Sequence, residues 1–161
     1  MGCEDYRVLL RAGVDVEDVC AVLLSRPGVS RDGQAKDVGR SRYFVYNEGG
    51  HVFEMEVLVG QGASTEISVR FAVCHPLTAD EAFVNFVFDL ADSLKASVSI
   101  REDLPVGLRG DFSWGDQKDS LESSMRTTIS AKRSYWVSDF GPEQAAVGCD
   151  EAIRRFVLRE R

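Results

Sequence analysis

Glu54 and Glu56 stand two residues apart in an alternating run, so on a strand both carboxylates leave the same side. Paired acids of that kind flank the scissile bond in sugar-cleaving enzymes, one giving the proton and the other acting as base or nucleophile. The same spacing belongs to the wet face of an ordinary sheet, and no neighbouring group completes a site. Asp111, Asp116 and Asp119 lie in or beside a glycine-dotted stretch and have the oxygen chemistry to gather a divalent cation, yet their spacing is not that of a calcium-binding loop. A solvated acidic loop is the simpler reading.

The remaining reactive types fail on spacing. Cys74-His75 sets a thiol beside a base, but strand neighbours point to opposite faces, so the two meet only if Pro76 bends the chain there. Cys3, Cys20, Cys74 and Cys149 show no CxxC spacing, and His51 and His75 are the only imidazoles, too few to converge on zinc. Buried thiols are expected rather than disulfides. His51, beside Gly49-Gly50, reads as a solvated turn residue. Gly107-Leu108-Arg109-Gly110 lacks the length and lysine of a phosphate loop. Asp139-Phe140-Gly141 spells the kinase metal-binding triplet without any of the loops that accompany it. No catalytic residue, cofactor or metal ligand is assigned.

Charge narrows the partners. A net charge of −7 and an isoelectric point near 4.9 repel a phosphate backbone, which argues against nucleic acid and favours basic proteins. No apolar run approaches the roughly 18 residues of a membrane span, and the start lacks a charged-then-apolar signal pattern, so a soluble cytoplasmic protein is expected. Met1-Gly2-Cys3 suits acylation, but that pattern needs Ser or Thr where Tyr6 stands.

The elements that must position these groups are clearest from Tyr43 to Leu94. Phe53, Met55, Val57 and Val59 fall on one face, with Glu54, Glu56 and Leu58 opposite. Ile67, Val69, Phe71 and Val73 repeat the pattern against Glu66, Ser68, Arg70 and Ala72. Glycine-bearing connections at 47–50 and 60–63 join Tyr43–Tyr46 to these two runs as a meander. Thr78-Ala79-Asp80-Glu81 then reads as a capping box, ahead of a helix with Phe83, Phe86, Val87, Leu90 and Leu94 on one stripe and Val84, Phe88 and Ala91 on another.

Flanking elements complete the order. Tyr6–Leu10 is a short apolar strand, Asp15 caps a helix that stops before Pro27-Gly28, and 25–42 is a polar loop. Ser97–Arg101 has strand spacing, and 104–118, with Phe112 and Trp114, is an irregular candidate recognition loop. A second capping box at Asp119 starts a helix through Leu121, Met125 and Ile129. Residues 134–140 form an aromatic knot, and a last helix follows from Glu143. The length suits one domain over 1–161. The predicted fold is α+β, a ferredoxin-like βαββαβ layer with a mainly antiparallel sheet, helices on one face and added C-terminal helices.

An acidic α+β chain of this order, with Trp136-Val137-Ser138-Asp139-Phe140-Gly141 before a terminal helix, resembles the small immunity proteins of bacterial polymorphic-toxin systems. The resemblance implies a non-enzymatic, stoichiometric inhibitor of a cognate toxin, often a basic nuclease. The working surface is expected on Glu54, Glu56, Glu66 and Arg70 of the sheet, or on Asp111, Trp114 and Asp116 of the loop. A second reading is a small-ligand sensor acting as a homodimer through Val84 and Phe88. An enzyme whose motifs are unfamiliar is the third.

Overall fold

Period-two alternation fixes which side of each strand meets the helices, and the fold follows from pairing those apolar sides. In the computed structural model, residues 5–31, 41–59, 64–72, 78–100, 110–112 and 118–140 are described. They form β1 (Asp5–Ala12), α1 (Val16–Leu24), β2 (Val29–Arg31), β3 (Ser41–Glu48), β4 (His51–Val59), β5 (Thr65–Ala72), α2 (Thr78–Leu94), β6 (Ser97–Ile100), β7 (Gly110–Phe112) and α3 (Lys118–Phe140). The architecture is α+β. Seven strands make one sheet in the order β2-β3-β4-β5-β1-β6-β7, every neighbour antiparallel.

That order differs from a four-strand βαββαβ layer. β2 and β3 intervene between α1 and β4, β3 being the strand expected at Tyr43–Tyr46 and β2 lying within the polar loop expected over 25–42, and β7 extends the far edge. Residues 41 and 42 already belong to β3, and Ser30 pairs with Val45. The polar composition of this stretch hides an edge strand whose pairing supplies what its side chains do not.

Across the sheet the register brings Tyr6 to Phe71, Val8 to Val69 and Ile100, and Met55 to Val69 and Phe44. These side chains make one buried face. α2 seals it with two rings. Phe83 lies 4.9 Å from Phe71, 5.2 Å from Phe53 and 5.9 Å from Tyr6, and Phe86 lies 5.0 Å from Tyr46. Val19, Cys20 and Leu23 of α1 join the same core. Asp15 caps α1 as its sequence predicts, accepting from the backbone N–H of Glu17 and Asp18 at 3.0 and 2.9 Å.

α3 closes the other side of α2. Its Leu121, Met125 and Ile129 are buried with Val84 and Phe88, so the second apolar stripe of α2 is buried inside the chain. Arg133 clasps Asp80 and Arg126 clasps Glu81, both in the first turn of α2. The Thr78 hydroxyl lies 3.2 Å from His51 Nε2, tying the start of α2 to the start of β4. Thus Glu81 serves the helix pair in place of the expected capping box, and His51 is a strand-to-helix tie rather than a solvated turn residue. Residues 134–140 continue α3 rather than forming a separate knot. The helix expected from Glu143 lies outside the described residues, as do Cys3, Cys74, His75 and Cys149.

Two backbone details set the sheet ends. Gly49 and Gly50 both take positive φ, 62° and 82°, the requirement of the tight turn that joins β3 to β4. Gly28 at φ 74° packs so closely on the β3 end that a Cβ there would sit 2.8 Å from the Glu48 Cβ. No described helix is long and apolar enough to cross a membrane.

Candidate functional site

The three described helices belong to the core on one side of the sheet, and the polar positions of β1, β3, β4 and β5 lie on the other face. Register arranges that face in rows. In the first, Arg7 stands opposite Arg70, Arg70 opposite Glu54, and Glu54 opposite Val45. The second runs Leu9, Ser68, Glu56, Tyr43, and the third Arg11, Glu66, Leu58, Ser41.

Each carboxylate of this face is engaged across the strands. Glu54 is ion-paired with Arg70, Glu66 accepts from Arg11 Nε at 3.0 Å, and Glu56 accepts from the Tyr43 hydroxyl at 2.9 Å. The hydrogen bond to Glu56 is the leading reason that the Tyr43 phenol is pushed above its ordinary value, because ionising it would set two anions together. Glu54 and Glu66 remain about a third exposed, 30% and 31%, and their arginine partners more so. Cross-strand pairs at this exposure are worth only about 0.2–1 kcal/mol each. Their larger effect is to hold long side chains in fixed places.

A depression of about 160 Å³ opens on the face, lined chiefly by Arg7, Tyr43, Glu54, Glu56, Ser68 and Arg70. Its charges balance. Arg7 and Arg70 stand against Glu54 and Glu56 in its lining, and Arg11 beside Glu66 adds a further pair, so the expected surface of Glu54, Glu56, Glu66 and Arg70 carries more positive charge than read from sequence. An acid–base pair for hydrolysis needs one carboxyl desolvated and set apart from its partner. Glu54 and Glu56 are both half-exposed and bound to strand neighbours.

The structure brings four of the seven predicted residues together: Glu54 and Glu56 on β4, Glu66 and Arg70 on β5. Asp111 lies on β7 opposite Ser99, in a strand rather than an irregular loop, while Trp114 and Asp116 fall outside the described residues. Arg7 and Arg11 were missed by reading β1 as merely apolar. Their positions on either side of Leu9 carry the signal, since they alternate with Val8 and Leu10. Among the described residues no group of three or more His, Cys, Asp or Glu is placed to hold a metal ion.

Comparison with known proteins adds no constraint on this face: no protein-family model, no curated protein and no solved structure matches the chain.

Proposed function

We propose that the chain is a non-enzymatic binding protein, most specifically an immunity protein that neutralises a cognate toxin in the cytoplasm, and that it binds through the sheet face opposite the described helices. The observation that carries this reading is the registered lattice Arg70–Glu54, Arg11–Glu66 and Tyr43–Glu56, which fixes charged groups before a partner arrives. Groups held in place beforehand lose less side-chain entropy on association. A negative molecule overall, at −7, speeds encounter with a basic partner, while the mixed face sets register once the two meet. Within the wider sheet, β1, α1, β4, β5, α2 and β6 make the ferredoxin-like unit of this proposal, with β6-β1-β5-β4 as its strand order.

The test is co-expression with toxic products of neighbouring genes. A cognate toxin is expected to lose its growth inhibition and to co-purify with the protein. Arg70→Glu, which reverses the centre of the lattice, is expected to abolish both effects while leaving the circular dichroism spectrum intact. If no neighbour is toxic, or if Arg70→Glu protects as well as the parent, the reading fails.

A further inference from the structure

We infer that the Tyr43–Glu56 pair, on β3 and β4, receives one arginine side chain of the protein partner. This rests on the reading of the sheet face opposite the described helices as the docking surface, and adds the chemistry of the group that meets it.

Tyr43 is the one aromatic residue on this face among the described residues, since Tyr6, Phe44, Tyr46, Phe53 and Phe71 all alternate onto the helical side. Its phenol is held by two neighbours: the hydroxyl donates to Glu56 Oε1 at 2.9 Å, and the Ser41 side chain hydrogen-bonds the same group. A ring fixed in this way gives up little freedom on association, which suits tyrosine as an interface anchor. Tyr46 makes a similar bond to Glu48 at 3.3 Å, but its ring is already stacked on Phe53 at 4.9 Å and leans on Phe86 at 5.0 Å. The Tyr43 ring stacks on no aromatic among the described residues and is half-exposed.

Glu56 supplies the charge. Glu54 and Glu66 each hold an arginine, whereas the partner of Glu56 is a neutral phenol on one of its two oxygens. A carboxylate accepts at about four lone-pair sites, so the phenol leaves most of that capacity in place. Both signs line the depression, so the choice of occupant lies with this pair and not with a net field. Arg70, one strand from Glu56, is held by Glu54. Leu58, diagonal to Tyr43 and half-buried, adds apolar surface beside the ring.

An aromatic face, a carboxylate at its hydroxyl end and an apolar neighbour together match a guanidinium on a methylene stem. The guanidinium plane stacks on an aromatic face, its fork bonds a carboxylate, and the stem covers apolar surface. Arginine is also the cation that protein interfaces favour, and a basic partner is the complement of a chain carrying −7.

The experiment uses the full chain, with tyrosine ring and glutamate carboxyl resonances followed by NMR at constant ionic strength. It is titrated with N-acetyl-arginine methylamide and, in parallel, with the neutral citrulline compound of nearly the same shape. Saturable shifts are expected at Tyr43 and Glu56 with the arginine probe alone, while Tyr46 and the exposed Glu17 of α1 show none. Glu56→Gln keeps an oxygen for the Tyr43 hydroxyl, and Tyr43→Leu removes the ring. Each is expected to weaken the probe about tenfold or more with an unchanged circular dichroism spectrum. Should Tyr43→Leu lose the fold, Glu56→Gln decides alone. An equal response to citrulline, an equal response at Tyr46 or Glu17, the absence of saturation, or undiminished binding by Glu56→Gln overturns the site. If the probe fails while a toxin is neutralised through this face, only the arginine inference falls. If the probe binds and no protein partner protects or co-purifies, the assignment of the occupant to a protein falls instead.

Discussion

Arg133 on α3 grips Asp80 in the first turn of α2 with two of its guanidinium nitrogens, the Nε contact measuring 3.1 Å. Side-chain exposure of 14% and 24%, against 38% and 56% for Arg126–Glu81, makes this the less solvated of the two pairs, and it sits where the positive end of the α2 dipole also favours the carboxylate. Arg126–Glu81, one residue along α2, is a second tie between the same helices.

Breaking that grip is expected to cost stability in a way a surface pair would not. Asp80→Asn or Arg133→Ala should each lower unfolding free energy by about 1–3 kcal/mol, since charge-assisted bonds with partial burial exceed the exposed-pair range. Lys95→Ala, which breaks the exposed Lys95–Asp92 contact, should lose less than about 0.5 kcal/mol through that pair. Urea unfolding of both single variants and the double variant would measure the coupling. A coupling energy near zero would refute the assigned role.

Tyr6 places a hydroxyl in the core with no hydrogen-bond partner among the described residues, at 2% exposure. Phenylalanine keeps the ring contact with Phe83 and removes the unsatisfied group. Tyr6→Phe is therefore expected to be neutral or to stabilise by about 1 kcal/mol. A loss above that size in thermal or denaturant unfolding would show that the hydroxyl is satisfied in solution.

The same phenol gives the fold an alkaline limit. Burial drives the Tyr6 phenol far above its ordinary 10.0, and burial also raises Tyr46, so in the folded state these groups favour the protonated form. The stability they contribute is complete below the unfolded value and is lost as pH climbs beyond it towards the raised folded values. Unfolding midpoints should fall between about pH 9 and about pH 11. The fall should be shallower in Tyr6→Phe, and an unchanged slope in that variant would assign the limit elsewhere.

Two backbone positions should respond in opposite directions. Lys95 closes α2 at φ 49°, with the Ala96 amide donating to the Ala91 carbonyl at 2.9 Å, an ending that glycine fits without strain. Lys95→Gly is expected to stabilise by about 0.5–1 kcal/mol. Gly28→Ala combines the same backbone region with a 2.8 Å approach to Glu48 Cβ and should destabilise by about 2 kcal/mol or more. Paired melting curves would settle both signs.

What the sequence made legible follows from how local each signal is. Alternation over 52–59 and 66–72 and the stripe through Phe83 and Leu90 reveal themselves within a few residues, and the elements stand as read. β2 and β7 are three residues each, with glycine or polar side chains, so their strand character comes from the neighbours they pair with. Residues 134–140 look like a knot because aromatic side chains weaken helix propensity only slightly, and α3 carries through them. The site was half readable for the same reason. Glu54, Glu56, Glu66 and Arg70 show their common face locally, but Arg7 reaches Arg70 and Arg11 reaches Glu66 only through the β1–β5 register, at separations that no local pattern encodes.

The charge on β2 has a further effect on how copies of the chain meet one another. β2 is the outermost strand on its side of the sheet and carries an exposed Arg31. A charged side chain on an edge works against a second copy lengthening the sheet there.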